Sequence, residues 1–502
     1  MQTEPKIKLH LGDPLMTFLH RAGLAGLWMT LHELEDRQLQ GPGNFRWELT
    51  NRSVSLDWDC KDFEALDWLL KKAFSLDQGL ITFTGLKGAD LQNRVLFQQG
   101  LRGTFLQHPG HFKSKTKASY SFQLGEGEAE ITITYPICHF FVHQNFAAEL
   151  CNKKGELRKD AIPVAGWLNP GAVVRHWAFE KETSFEELST LALVLLFAPL
   201  ACQYFLLRSK LRDRRAQYAV VVPEITDLEV FARRRWHFVE NFGVRDFHAS
   251  NLGDAGMRFL VKDQAAAESR MTKAPRCQVI TFGTVDWSAQ QKSRTQIHCL
   301  EASERVCELY RTASEYFPDR PVKGKEGTFL ASSFARELIA ENLSQNLPWF
   351  AGLSDKVTSG EAFKILSYEK EGLHNMAVDK SVWTEESERL FVQACHEAFR
   401  LTYRKIYNRA RDTGEVANLE RANERFRTEL GRCKNADSFR TFITDFWSRA
   451  GQIPTLQEHW RELLALTTGQ HSWKTARDLA LLALASYKST KSSTADVVEE
   501  YE

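Results

Sequence analysis

Asp57 and Asp59 form a DxD pair, two hard oxygen donors at a spacing that can hold Mg²⁺. They alternate with Leu56 and Trp58, so a strand here would turn the apolar pair inward and leave the carboxylates on its outer face. Cys138, His139, His143 and Cys151 supply a second constellation, thiol and imidazole groups of the kind that bind zinc. Their spacing matches no standard finger, and they flank the end of an apolar strand. A metal-dependent nuclease using Asp57 and Asp59, or the Cys/His group, is the enzymatic alternative; the preferred reading gives neither group a metal. No GxxxxGK[ST] loop, no GxGxxG after a strand, no HExxH and no GxSxG occurs, and Gly324 to Gly327 (GKEG) reads only as a loop. The expectation is a protein with no catalytic residue and no cofactor.

Binding chemistry is better represented. From Arg400 to Arg440 the chain carries 11 Lys and Arg against 6 Asp and Glu. Arg404, Arg411, Arg421, Arg425 and Arg432 are the candidates there, and Arg421 and Arg425 share a helix face. Such a stripe can neutralise phosphates and make binding fall steeply with salt. A second candidate is the long polar connection from Gly85 to Lys117, which holds Arg102, Lys113, Lys115 and Lys117. Two polar loops could enter a DNA groove, one with Gln98, Gln99 and Arg102 and one with Ser250, Asn251 and Lys273. Asn or Gln can pair with adenine, and Arg or Lys with guanine. Because 65 basic residues face 64 acidic ones overall, any affinity for polynucleotides must come from uneven placement of charge.

The elements carrying these groups suggest an α+β protein in two parts: a large mixed α/β domain over residues 1–360, then an antiparallel helical bundle over 361–502. Pro14 to Asp36 reads as a helix, with Gly23 and Gly26 permitting close packing. Hairpins follow from the alternation of Phe45, Trp47 and Leu49 with Val54, Leu56 and Trp58, and of Tyr120, Phe122 and Leu124 with Ile131, Ile133 and Tyr135. Phe63 to Phe74 reads as a helix between them. Further strands are expected at Gln217 to Val222, Met257 to Val261 and Val279 to Phe282, with basic Arg233, Arg234 and Arg235 between the first two. Residues 354–360 (SDKVTSG) have linker composition, and beyond them only helical periodicity remains.

Thr190 to Leu207 is apolar for roughly the minimum length of a membrane span. Pro199 and Gln203 interrupt it, and Thr183 to Glu186 has capping-box spacing, so a buried core helix is expected and no membrane association. Nine cysteines without a CxxC pair, and no signal-peptide pattern, point to reduced thiols in a cytoplasmic protein.

Several strings together resemble a known family: LHRAGLAGLW (Leu19 to Trp28), GTFLQH (Gly103 to His108), PVAGWLNPGAVVRH (Pro163 to His176), VVPEITDLE (Val221 to Glu229) and ARELIAENLSQNLPWFAG (Ala335 to Gly352). They are similar to the large subunit of type I CRISPR Cascade complexes in its MYXAN branch, which includes cyanobacterial type I-B and transposon-associated systems. The resemblance implies a non-catalytic subunit at the crRNA 5′-handle end that reads the protospacer-adjacent motif in double-stranded target DNA and aids duplex opening. Its implied partners are the crRNA, the target duplex and its displaced strand, the backbone, handle-binding and small subunits, and a helicase-nuclease or transposition adaptor. The C-terminal bundle would then resemble the small subunit that holds the displaced strand. Met376, with the purine-rich coding potential of Lys370-Glu371-Gly372 just upstream, is a candidate internal start for a separate polypeptide of bundle sequence.

Overall fold

The computed structural model describes residues 4–106, 112–125, 129–164, 168, 186–209, 217–265, 275–285, 292–324, 327–357, 359–469 and 472–488. Two compact units emerge, Met1–Cys307 with Asp319–Ser332, and Glu308–Pro318 with Ser333–Glu502. The first mixes helices and sheets, and the second is helical, so the α+β class holds.

The first unit opens with β1 (Ile7–His10), α1 (Phe18–Asp36), β2 (Arg46–Leu49) and β3 (Ser53–Asp57), and the strands form a three-stranded sheet in the order β1-β3-β2. Next come α2 (Asp62–Ala73), the hairpin β4 (Phe74–Asp77) and β5 (Leu80–Phe83), and α3 (Leu91–Gly103). The expected second hairpin is β6 (Ser114–Gln123) with β7 (Glu130–Cys138), in a register that pairs Tyr120 with Ile133 and Phe122 with Ile131. The stretch from Gly85 to Lys117 is thus no continuous loop. Asp90 and Asn93 form a reciprocal capping box that starts α3, and Val95, Leu96, Phe97 and Leu101 bury its inner face.

After α4 (Ala147–Leu150), β8 (Ile162–Pro163) and β9 (Glu186–Glu187), the apolar run forms two elements: α5 (Ser189–Ala201) and β10 (Gln203–Leu207). All of α5 but Thr190 is buried. Among the described residues no helix is long and apolar enough to cross a membrane. Thr183 lies outside the described residues, and Leu188 occupies the N-cap of α5 without a side-chain cap. β11 (Gln217–Pro223) leads to α6 (Leu228–Glu240), α7 (Val244–Phe247), β12 (His248–Ala249) and α8 (Leu252–Ala265). The strand expected at Met257 to Val261 is therefore part of a helix. Asn251 Oδ1 accepts the Asp254 N–H at 2.9 Å, a side-chain cap that favours helix over strand. β13 (Arg276–Val285) and β14 (Lys292–Glu301) complete a five-stranded sheet in the order β12-β10-β11-β13-β14. α9 (Glu304–Tyr316) belongs from Glu308 onward to the second unit, and the pair β15 (Arg320–Gly324) and β16 (Gly327–Ala331) completes the first.

Gly23 and Gly26 do permit close packing of α1 on α5. A Cβ at Gly23 would lie 2.2 Å from the Val194 carbonyl oxygen, and one at Gly26 would lie 2.1 Å from that of Phe197. Neither backbone atom can swing aside, so Gly26→Ala is expected to destabilise the protein by about 2 kcal/mol, read from the urea midpoint.

The second unit contains α10 (Phe334–Leu343), α11 (Leu353–Lys356), α12 (Gly360–Ser367), α13 (Lys370–Val378) and then α14 (Glu386–Thr413), α15 (Leu419–Arg432), α16 (Ala436–Ala450), α17 (Pro454–Thr468) and α18 (Trp473–Ser486). Within the stretch read as a linker, Ser354 to Lys356 belong to α11 and Gly360 opens α12. Asp478 on α18 accepts the backbone N–H groups of Gly352 at 2.7 Å and Ser354 at 2.9 Å, which fastens α11 to the bundle. Met376 is buried within α13.

Candidate nucleic-acid interface

α14 is built in two halves. Leu390, Phe391, Ala394, Cys395, Ala398 and Phe399 bury its first half, whereas beyond Phe399 the apolar periodicity stops and cations take over. Glu386 and Glu388 lie in the first turn and Arg411 in the last, both favourable to the helix dipole, and Gly414 ends the helix at a φ of 70°. Contacts to α15, α16 and the residue after α18 anchor the join between the halves. Phe399 packs on Phe426 and Phe446 with ring centroids 4.9 Å away in each case, and the Tyr403 hydroxyl donates to Asn423 Oδ1 on α15.

On the outer side Arg400, Arg404, Tyr407 and Arg411 follow at steps of four, three and four residues, which places them on one face over about 16 Å. All four are exposed, Tyr407 by 54%. Among the described residues, no carboxylate lies within ion-pair distance of Arg400 or Arg404, and Arg411 has only its neighbour Asp412 at 3.7 Å. Three cations around an accessible aromatic ring are what a single-stranded polynucleotide requires: phosphates to neutralise and a platform for an unstacked base.

Not every cation in this region is available. Lys405 donates to the Arg449 carbonyl at 2.8 Å, serving the end of α16. On α15, Arg421, Arg425 and Arg432 share a face at steps of four and seven. Arg425 pairs with Glu429 at 2.8 Å, while Arg421 and Arg432 are exposed with no acidic partner among the described residues.

The candidates in the first unit fare differently. Gln98 is fully buried on α3, donating to the Pro136 carbonyl at 2.7 Å and accepting from the Ile81 N–H at 2.9 Å. Gln99 is buried too and donates to the Thr134 carbonyl at 2.7 Å. Both amides satisfy strand backbone, so neither is a loop residue that can enter a groove. Ser250 is likewise buried, its N–H and hydroxyl donating to Asp254 at 2.7 and 3.0 Å, and Asn251 caps α8. Lys273 lies outside the described residues, as does the side chain of Lys115 on β6. Arg102 is half-buried over the Phe112 ring at 5.3 Å, Lys113 is exposed over Phe140 at 5.2 Å, and Lys117 is exposed on β6.

The carboxylate pair and His143 are engaged within the fold. Asp57 accepts from Arg46 at 2.7 Å and Asp59 from Asn44 at 3.0 Å. His143 is buried beside Phe141 and Phe74, with its Nδ1 2.9 Å from the Leu196 carbonyl. Burial pushes the Cys138 and Cys151 thiols up to about 11. Among the described residues no group of three or more His, Cys, Asp or Glu side chains could hold a metal ion. The double change Asp57→Asn, Asp59→Asn is accordingly expected to alter binding of a single-stranded oligonucleotide probe less than about twofold in a filter-binding assay, because it removes only surface pairs.

Sequence reasoning missed two features. Tyr407 escaped notice although its spacing from Arg400, Arg404 and Arg411 was readable. The second is the pairing of β15 with β16, whose strands flank the GKEG string. Every residue of β15 is exposed, with Arg320 and Lys323 flanking Val322. On its partner strand, Phe329 lies under Arg208 at 4.9 Å.

Comparison with known proteins now gives this geometry a context. Residues 8–196 match the family profile of the DevT N-terminal domain, and residues 379–502 match that of the DevT C-terminal domain. The chain is also similar to the CRISPR-associated protein Cas8a1/Csx13 of Myxococcus xanthus, at 29% identity over an alignment of 535 residues that covers 98% of this chain and 90% of the relative.

Proposed function

We propose that this chain, which belongs to the DevT-type large subunits of the MYXAN branch of type I CRISPR Cascade complexes, holds the displaced DNA strand and acts without catalysing bond cleavage. Its role in a CRISPR effector complex is the ground on which the finer reading stands. The observation that carries the finer reading is the exposed face of Arg400, Arg404, Tyr407 and Arg411 on α14.

The energetics make such a face useful. Exchanging a DNA duplex for a guide–target heteroduplex is nearly balanced, so small contributions from the protein decide whether opening proceeds. At about 0.1 M salt each phosphate contact with a single strand contributes about 1 kcal/mol through counterion release, and stacking one base on an aromatic ring adds about 1–3 kcal/mol. A stripe of three arginines and one tyrosine therefore supplies enough to favour the open state. In this reading residues 361–502 serve as a built-in counterpart of the small subunit, and the first unit meets the crRNA handle and the duplex motif. The β15–β16 hairpin, which offers Val322 between two cations, is the element assigned to duplex opening. Docking of a helicase-nuclease or a transposition adaptor, and a cytoplasmic location, complete the proposal.

The test is reconstitution of the effector complex with its guide, with and without this chain, on duplexes that vary the flanking motif. Motif-dependent opening that requires the chain supports the proposal. Opening that is indifferent to its omission ends it.

A further inference from the structure

A cleft of about 420 Å³ lies between the start of α2 and the turn at residues 151–158, lined by Lys61, Phe63, Lys153, Lys154 and Arg158, with Glu64 as the one acid in its wall among the described residues. We propose that it is a second polynucleotide site, separate from the α14 face, which takes one unstacked nucleotide of a single strand with its base on Phe63 and its phosphate among the cations. The inference rests on the reading of the chain as a nucleic-acid-handling subunit, but on different residues.

Three observations carry it. Charge comes first: four cations face one carboxylate, and among the described residues Lys61, Lys153 and Lys154 have no acidic partner within ion-pair distance. Arg158 uses its Nε on the Cys151 carbonyl at 3.2 Å, which aims the rest of the guanidinium without neutralising it. Rigidity comes second. Asn152 Oδ1 accepts the N–H groups of Lys154 at 2.8 Å and Glu156 at 3.1 Å, and Gly155 turns the chain at a φ of 82°. The turn is fastened to α2 by the Phe63 N–H donating to the Gly155 carbonyl at 3.0 Å and the Leu157 N–H donating to Asp62 at 2.9 Å. The cations are thus presented on a preorganised backbone, which lowers the ordering cost of binding.

Shape comes third. The volume falls in the range of small-molecule sites, and the Phe63 ring, 38% exposed, offers a stacking surface beside the cations. A free phosphate would leave that ring unused, and a base within a duplex could not reach it. RNA and DNA single strands share the required chemistry, and the experiment separates them.

The experiment uses the full chain, short fluorescent oligouridine and oligothymidine, and anisotropy titrations of four proteins: native, Lys153→Glu/Lys154→Glu, Phe63→Ala, and Arg404→Ala/Arg411→Ala. The lysine changes are on exposed side chains and leave the turn hydrogen bonds intact. Expected is a loss of about tenfold or more for the lysine pair, and about tenfold for Phe63→Ala, on one or both strands. The strand that loses more identifies the occupant. Bromouracil or bromouridine in that strand should photo-crosslink to the peptide containing Phe63. If both cleft variants bind like native protein while Arg404→Ala/Arg411→Ala binds worse, the cleft is not a site and the function proposed above stands. If native protein binds neither strand, both fail.

Discussion

Replacing Arg400, Arg404 and Arg411 together by alanine is expected to weaken binding of single-stranded DNA about 100-fold at about 0.1 M salt, and to reduce the slope of log affinity against log salt by about 2. The expectation follows from counting. Each cation that contacts a phosphate of a single strand releases about 0.7 of a counterion, so three contacts change the slope by about 2 and the affinity by about two decades. The side chains are exposed and make no pairs within the core, so the fold should survive. Lysine at the same three positions should keep most of the slope, because counterion release needs charge rather than a guanidinium fork. Changing Arg425, which is held by Glu429, should cost much less than changing Arg404. Anisotropy titrations at several salt concentrations check each point.

The second large effect is structural and falls on Arg235. Its side chain is fully buried, and burial lowers it to about 10, still charged at neutral pH. The guanidinium donates to the carbonyls of Leu200 at 3.0 Å and Cys202 at 2.7 Å and to Gln203 Oε1 at 2.8 Å, with Phe97 and Phe238 each 5.4 Å away. Those acceptors sit where α5 ends and β10 begins. A helix C-terminus leaves carbonyls without partners, and a cation placed there satisfies them and favours the helix dipole. Arg235→Met keeps most of the volume and strands three buried acceptors, so a loss of about 3–5 kcal/mol is expected, seen as a lower first transition in thermal unfolding. Arg233→Met, whose side chain is exposed and pairs with Glu229 one turn away, should cost less than about 1 kcal/mol.

This contrast marks what sequence could convey. Arg233, Arg234 and Arg235 form one basic triplet on paper, yet only packing decides that the third is buried beneath α5 while the first faces out. The same cause explains the apolar run from Thr190. Hydropathy sees one continuous segment, whereas the chain changes from helix to strand at Cys202, where Arg235 collects the loose carbonyls. Elements with strong periodicity were readable: α1 with its two packing glycines, the β2–β3 and β6–β7 hairpins, and the helices from α14 to α18. α3 was missed because polar residues dominate its first turn, and α8 because Gly253 and Gly256 stand in its first two turns, although Asp90 with Asn93, and Asn251 with Asp254, were capping signals available in the sequence.

Binding residues were harder to foresee for a related reason. Gln98 and Gln99 have the right chemistry for reading adenine, but an amide is equally suited to satisfying strand backbone, and here both amides do so. A polar side chain announces its donors and acceptors without announcing its environment. Spacing on a long helix is more informative, since Arg400, Arg404, Tyr407 and Arg411 must share a face once α14 extends beyond its buried half.

The most direct measurement replaces Tyr407 by the photoreactive p-benzoylphenylalanine in the assembled complex, with its guide and a target duplex whose two strands carry different labels. Irradiation after the duplex opens should link position 407 to the displaced strand, and only when guide and target are complementary. Linkage to the guide-paired strand alone, or none despite full opening, would contradict the claim that α14 holds the strand set free.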